Sequence, residues 1–422
     1  MRKLLFVVLS GMADRPIPEL GDRTLLEAAR TPLLDALARR GQQGQLWPLA
    51  PDIAPESDAA AMSLLGYEVE EYYTGRGPLE VAGAGLEMRD GDLAWKANFA
   101  TADSGWNVVD RRVGRSLGDG DARELAAAVQ KDVHLPGASI QFVQSDGFRG
   151  CLLIRSTEGA LSGDVSNVDP AYHRQGRLSF AVDGPAATAT RAQAYGSDPA
   201  ALRAAELSNA FLEQAFAILD AHPVNVRRRD LGFLPGNFIL LRDAGDRLPR
   251  LPSFAATQGP RLGAVVDSPV QRALAELAGM QVMKLGRATG HPERDFNELA
   301  LRTDEVLAAL DGAYVHIKTP DIPAHDGDAD LKVKAIEDIE RFYFGRLGEL
   351  TDLDALLICV TSDHATPVSL GRHSNDPVPI LLSGGVEPDG AGAFGESSGA
   401  TGAFGYMMGT ELMPRLAALA RA

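Results

Sequence analysis

Three stretches of the chain gather residue types that hold metal ions. KTPDIPAHDGD supplies Asp321 and His325, four apart, with Asp326 and Asp328 beside them. VTSDHATP supplies Asp363 and His364 back to back, and LGRHSNDPVPILL supplies His373 shortly before an apolar run. Each stretch adjoins a run that reads as a buried strand, so all three fall at strand ends. Adjacent side chains on an extended segment point opposite ways, so an Asp-His pair there can serve two different ions. Imidazole mixed with carboxylate suits Mn²⁺ or Zn²⁺ better than Ca²⁺. Two such ions side by side form a clamp for phosphoryl transfer. Plainer readings stand beside this one. An Asp-His pair also caps turns, and AHDGD also suits a solvated loop with Asp328 capping the next helix.

The elements that must position these residues can be read from pattern. Leu4 to Leu9 is an unbroken apolar run closed by Ser10 and Gly11, the mark of a strand buried on both faces of an open α/β sheet. Ligands in such sheets gather beyond the carboxyl ends of the strands, which is where Ser10 falls. TLLEAARTPLLDALARRG has apolar residues at helical spacing and predicts one amphipathic helix ending at Gly41. DAAAMSLLGY predicts a second, short helix with Ser57 and Asp58 at its N-terminal side.

From about residue 80 the texture changes to short β-rich runs, DLAWKANFATAD, WNVVDRRVGR, SIQFVQSDGFRGCLLIRS and RLSFAVDG, then one long helix and GNFILLRDAG. From about residue 260 strand and helix alternate again through LGAVVDS, GMQVMKL, DGAYVHIKTP and DALLICVTSDHATP, with ADLKVKAIEDIERFYFGRLGEL as one of the helices. The Gly-rich GGVEPDGAGAFGESSGATGAFG reads as a long loop. The fold class expected is α/β. Residues 1–78 and 259–422 form a discontinuous domain whose mostly parallel sheet is flanked by helices, and residues 79–258 form an inserted α+β domain.

Composition narrows the partners. The 422 residues carry a net charge of −16, with 45% hydrophobic and 23% charged residues. That balance disfavours nucleic acid and anionic membrane as partners, and an anionic small substrate would need local arginines. Two cysteines, Cys151 and Cys359, build no disulfide framework and suit a reducing, cytoplasmic setting. The run after MRK is too short for a signal peptide, and no stretch reaches the roughly 20 apolar residues of a membrane span.

PESDAAAMSLLGYEVEEYYTGRGPLE, NFATADSGWNVVDRRVGR, KTPDIPAHDGDADLKVKAIEDIE and VTSDHATPVSLGRHSNDPVPILLSGG together resemble the archaeal-type cofactor-independent phosphoglycerate mutases of the alkaline phosphatase superfamily. The resemblance runs through nearly the whole chain. It implies a metal-binding, alkaline-phosphatase-like domain carrying a phosphotransferase domain. It implies two divalent metals, Mn²⁺ foremost, with Zn²⁺, Co²⁺ or Mg²⁺ as alternatives, and no bisphosphoglycerate. The partner it implies is a small phosphorylated metabolite.

Carried over by position, Ser57 resembles the nucleophile that takes the phosphoryl group, although a serine before a helix also suits an N-cap. Asp321, His325 and His373 resemble the ligands of one metal, and Asp363 and His364, with Ser57, those of the other. Asp110, Arg111, Arg112 and Arg115 resemble a substrate-binding set, joined by Arg242 and Lys96; arginine forks suit phosphate and carboxylate, and also solvated salt-bridged faces. The chemistry implied passes the phosphate of 3-phosphoglycerate to Ser57 and returns it to the 2-hydroxyl of glycerate, with domain closure excluding water. One position departs. The family pattern after the first strand is DGM, its Asp a ligand of the metal that activates the nucleophile, and this chain has SGM. Ser10 is thus an altered metal position, with Asp14 or a water as the candidate replacement. That leaves open a phosphatase or phosphotransferase on another small phosphorylated hydroxy compound, or a non-catalytic homologue that binds a metabolite.

Overall fold

Leu4 to Leu9 is fully buried because its strand has a neighbour on each side. In the computed structural model, which describes residues 2–182, 184 and 188–422, Lys3–Leu9 pairs in parallel with Gly312–Ile317 and with Leu356–Thr361. With both edges hydrogen-bonded and both faces covered, no position from Leu4 to Leu9 favours a polar side chain, and the sequence shows none there. The chain divides into two compact units, Met1–Tyr72 with Arg250–Ala422, and Tyr73–Pro249.

Among the described residues of the first unit, eight strands form one sheet. Its order is Gln281–Val282, Leu262–Val266, Gly312–Ile317, Lys3–Leu9, Leu356–Thr361, Val378–Ser383, Gly41–Trp47 and Gly405–Met408. Val378–Ser383 runs antiparallel to both neighbours, and the other pairings are parallel. The expected mostly parallel sheet flanked by helices is present. Three adjacent parallel strands therefore end side by side and deliver Ser10, Asp321 and Asp363 to one edge.

The second unit is antiparallel. Leu93–Ala102 pairs with Val108–Asp110, Arg149–Ser156 and Phe238–Gly245, and Ala138–Asp146 completes the hairpin with Arg149–Ser156. The helices Asp119–Asp132 and Pro199–Asp220 cover it, with Trp95, Phe99, Phe211 and Phe238 in the core between. The helix Arg76–Gly83 packs on Leu93–Ala102 and belongs with this unit. RLSFAVDG supplies Leu178–Ala181, paired with Tyr172–Gln175. Asp183 of that run, like Met1, lies outside the described residues.

Four elements differ from the sequence reading. TLLEAARTPLLDALARRG forms two helices, Leu25–Ala28 and Pro32–Arg39, because Pro32 pushes Thr31 out of the helical region and opens a new first turn. The long helix predicted from residue 329 holds α-geometry over Ala329–Asp338, widens to a π-helical stretch over Ile339–Phe344, and resumes over Gly345–Leu350. The Gly-rich segment contains a helix, Glu396–Thr401, and a strand, Gly405–Met408. Pro223–Asp230 is a helix that its basic composition concealed.

Two buried polar groups tie the first unit together. Lys332 is completely buried, and its ammonium donates to the Asp14 carboxylate at 2.8 Å and to the carbonyls of Ala13 and Thr366 at 3.2 and 2.9 Å. Its three donors are thereby used in full. Removing one partner of a buried ion pair costs about 3–5 kcal/mol, so Lys332→Met should lower the free energy of unfolding in urea by about that much. A loss under about 1 kcal/mol would refute the pinning role.

Glu396 accepts from the Asp14 backbone N–H at 3.0 Å and the Thr24 hydroxyl at 2.6 Å. Burial pushes its carboxyl up to about 7 against those two donors. A folded value above the unfolded one of about 4.5 means the native state binds the extra proton, so this contribution to stability is present at low pH and is lost as pH rises through about 7. Glu396→Gln should therefore gain about 2 kcal/mol on the parent chain between pH 5 and pH 8 in urea unfolding. A pH-independent difference would exclude this titration.

Candidate active site

Asp321 opens a single helical turn, Asp321–His325, directly after the strand Gly312–Ile317. The four-residue spacing places both side chains on one face, and His325 Nε2 lies 3.4 Å from Asp321 Oδ1. His373, from the loop before Val378–Ser383, brings its Nε2 to 3.7 Å from the same oxygen. The ligating atoms of the three residues lie within 4.8 Å of one another.

The far nitrogens of both imidazoles face carbonyls. His325 Nδ1 is 3.0 Å from Gly371 O, and His373 Nδ1 is 2.8 Å from Pro55 O. A carbonyl only accepts, so each Nδ1 carries a hydrogen and each Nε2 is the nitrogen that faces Asp321, the one free to bind a metal once it carries no hydrogen. Burial alone would raise the Asp321 carboxyl, but His325, His373 and Lys318 hold it well below the usual range. An ionised carboxylate with two imidazole nitrogens directed at the same point fits a divalent ion such as Mn²⁺ or Zn²⁺.

Ser57 is the first residue of the helix Ser57–Leu64 and Glu56 is its N-cap, so the capping reading of Ser57 does not hold. Its hydroxyl lies 3.0 Å from His364 Nε2. The direction of that bond follows from its far end. Thr366 donates to Asp321 Oδ1 at 3.0 Å, so its oxygen accepts from His364 Nδ1 at 2.9 Å. That leaves the lone pair of His364 on Nε2, and Ser57 donates to it. Burial drives His364 down to about 3 against the pull of Asp363, so the ring is neutral at neutral pH. It stacks on His373 with centroids 3.6 Å apart. Gly11 lets the chain pass beneath: its φ is 64°, and a Cβ there would fall 2.7 Å from Asp321 Oδ1 and 2.8 Å from Thr366 Oγ1.

Asp363 does not diverge from His364 as neighbours on a regular extended segment would: its Oδ1 lies 3.4 Å from His364 Nε2. Its Oδ2 accepts from Ser10 Oγ at 3.0 Å and His316 Nε2 at 3.1 Å, and its Oδ1 accepts from the Gly11 N–H at 3.2 Å. Burial raises this carboxyl, and His364 and His316 more than reverse the effect, leaving it below the usual range. Asp14 does not replace the carboxylate missing at position 10. It is turned to Lys332 at 2.8 Å and to the backbone N–H groups of Arg15 and Val368. The set Ser10, Ser57, Asp363 and His364 therefore fits a second ion poorly, because the one carboxylate in it is already spoken for by buried donors. Asp328 caps the helix Ala329–Asp338 through the Leu331 N–H at 2.9 Å, as its plainer reading had it.

Sequence reasoning missed His316 and Thr366. His316 carried a signal, an imidazole inside an otherwise apolar buried strand. Thr366 carried none beyond standing two residues after His364.

The second unit has its own cationic set. Arg111 forks onto Asp169 at 3.0 and 2.6 Å. Arg242 pairs with Asp243 at 2.6 Å and lies 3.8 Å over the Tyr172 ring, which Arg111 also approaches at 5.2 Å. Lys96 sits across the sheet from Arg242 and 3.7 Å from Glu80, which Arg76 holds at 2.9 Å. Asp110 acts through the backbone, accepting from the N–H groups of Arg112 and Gly114 at 2.7 and 2.9 Å. It folds a turn in which Val113, Gly114 and Arg115 all have positive φ, a strained conformation for a β-branched residue. Residues Val109 to Arg112, with Gly114 and Arg115, line a depression of about 470 Å³.

The chain is similar to known proteins along nearly its whole length. Residues 38–225 match the family model described as 2,3-bisphosphoglycerate-independent phosphoglycerate mutase. A protein of that name from Aeropyrum pernix is 41% identical over 416 residues, covering 96% of each chain. One from Methanopyrus kandleri is 38% identical, covering 99% of this chain and 96% of its own. Among solved structures, the cofactor-independent phosphoglycerate mutase of Thermoplasma acidophilum is 32% identical and superposes with a TM-score of 0.60 over the whole of both chains. The PH0037 protein of Pyrococcus horikoshii is 29% identical with a TM-score of 0.79, covering 100% of this chain and 97% of that one. Identity at this level across nearly the full length places the chain in the family of 2,3-bisphosphoglycerate-independent phosphoglycerate mutases.

Proposed function

We propose that the chain interconverts 3-phosphoglycerate and 2-phosphoglycerate through a phosphoserine on Ser57, without bisphosphoglycerate. The observation that carries this reading is the hydroxyl of Ser57 donating to the lone pair of a buried, neutral His364, at the first turn of a helix and beside a cation-binding trio. As the Ser57 oxygen bonds to phosphorus, its proton passes to His364 Nε2 and on to the departing 3-oxygen of glycerate as that P–O bond breaks. The return step runs the same way from the 2-hydroxyl. The positive end of the helix dipole favours the phosphorylated serine. A divalent ion held by Asp321, His325 and His373, Mn²⁺ foremost, supplies positive charge for the phosphoryl oxygens. We assign the substrate's anionic groups to Arg111, Arg112, Arg115, Arg242 and Lys96, with Asp110 shaping the turn. The two buried, unpaired cysteines suit a reducing compartment, and we place the protein in the cytoplasm, in glycolysis.

A coupled assay with 3-phosphoglycerate and no bisphosphoglycerate, on protein loaded with Mn²⁺, should show the 2-isomer, and Ser57→Ala should lower the rate by about 10³-fold or more. Release of inorganic phosphate without the isomer would replace this reading with a phosphatase. Thermal stabilisation by phosphoglycerate without turnover would replace it with a binding protein. Thr366→Val leaves Asp321 and His364 each without a hydrogen bond, and should lower kcat about 10–100-fold, with Thr366→Ser restoring most of it. An unchanged kcat in the valine variant would remove Thr366 from the mechanism.

A further inference from the structure

We propose that this chain holds one divalent ion, at Asp321, His325 and His373, and that Asp363 is a hydrogen-bonded support of the site and not the ligand of a second ion. Among the described residues, carboxylate and imidazole atoms gather within 4.8 Å of one another in that single trio, and no second trio forms around Asp363 and His364.

The surroundings of Asp363 give the reason. Its two oxygens accept three hydrogen bonds, from Ser10, His316 and the Gly11 N–H. Ser10 is 0% exposed and His316 1%, so neither donor can turn to water instead. An ion drawing on Asp363 Oδ2 would displace both. His316 Nδ1 is already buried with no hydrogen-bond partner among the described residues. Freeing Nε2 as well would leave that ring with neither nitrogen satisfied, a large desolvation penalty for a buried group. Ser10 cannot offset this, since a hydroxyl brings no negative charge to hold a dication. The lone pair of His364, the other nitrogen such an ion would need, receives the proton of Ser57. The two halves of the site are thus unlike. One brings a carboxylate and two imidazoles within 4.8 Å of one another, and the other offers a single carboxylate that already accepts from three buried donors.

The inference deepens the reading of this same site and rests on it for the role of Ser57, but the number of ions does not depend on turnover. The test is the metal content of chelator-stripped protein reloaded with Mn²⁺ and freed of excess, read by mass spectrometry together with the Mn²⁺ paramagnetic resonance spectrum. The parent chain should hold one ion per chain with the spectrum of an isolated centre. Ser10→Asp sets a second carboxylate beside Asp363, and should raise the content to two with the signature of a coupled pair. Two ions, or none, in the parent chain would overturn the proposal, and so would a Ser10→Asp protein that folds and still holds one. Should that variant not fold, the parent measurement decides alone. Two ions with isomerase activity would overturn this inference and leave the function standing. One ion with no isomerase activity would do the reverse.

Discussion

The ammonium of Lys332 is the fixed point of the first unit. Strands can deliver Ser10, Asp321 and Asp363 to one edge of a sheet, but the loops beyond them would wander if nothing joined them. Lys332 joins them from below, binding the carbonyl of Ala13 and the carboxylate of Asp14 in the loop after the first strand, and the carbonyl of Thr366 in the loop after Leu356–Thr361. A buried cation with all its donors engaged cannot shift without leaving charge or carbonyls unpaired in a low-dielectric interior. The loops that hold Gly11 and Thr366 are thereby fixed to one another, and Gly11 can pass within van der Waals range of Asp321 and Thr366 because it has no side chain.

From that fixed point the polarity of the site follows by bond direction alone. Asp321 can only accept, so Thr366 donates to it. Thr366 then accepts from His364 Nδ1, and His364 Nε2 is left to accept from Ser57. The same logic at Gly371 and Pro55 sets a hydrogen on Nδ1 of His325 and His373 and leaves each Nε2 facing Asp321. Backbone carbonyls and one threonine thus fix which nitrogen of His325, His364 and His373 carries a hydrogen. His364 and His373 stack face to face.

The second unit solves a different problem, holding many cations close together under low exposure. Arg76, Lys96 and Arg242 are each less than a tenth exposed, and Glu80 and Asp243 are interleaved with them. The Tyr172 ring lies against two guanidinium groups, so that part of the charge is met by an aromatic face. Asp110 spends its carboxylate on a left-handed turn that sets the direction of the following arginines. Strain of this kind persists only where surrounding structure enforces it, and here Val113 is fully buried at the centre of the turn.

Sequence by itself determined the periodic and the punctuated features. Unbroken apolar runs marked the central strands, the change of texture marked two kinds of sheet, and His and Asp at strand ends marked the cluster of Asp321, His325 and His373, because such patterns follow from the local geometry of helix and strand. The resemblance was legible for a related reason, its motifs being short and contiguous. Tertiary structure alone decided the rest. Pro32 divided a helix that its apolar spacing had made continuous. Glu396 left a Gly-rich stretch to become a buried acceptor because Thr24 and Asp14 stand opposite it. Ser57 proved to be the first residue of its helix and not its cap, since that distinction lies in one pair of backbone angles. His316 met Asp363 across two strand boundaries, and Asp14 turned from the site toward Lys332, 318 residues away in the chain. Hydrogen-bond partners so remote in sequence leave no pattern in it, because the pairing depends on which strands become neighbours, and only the assembled sheet decides that.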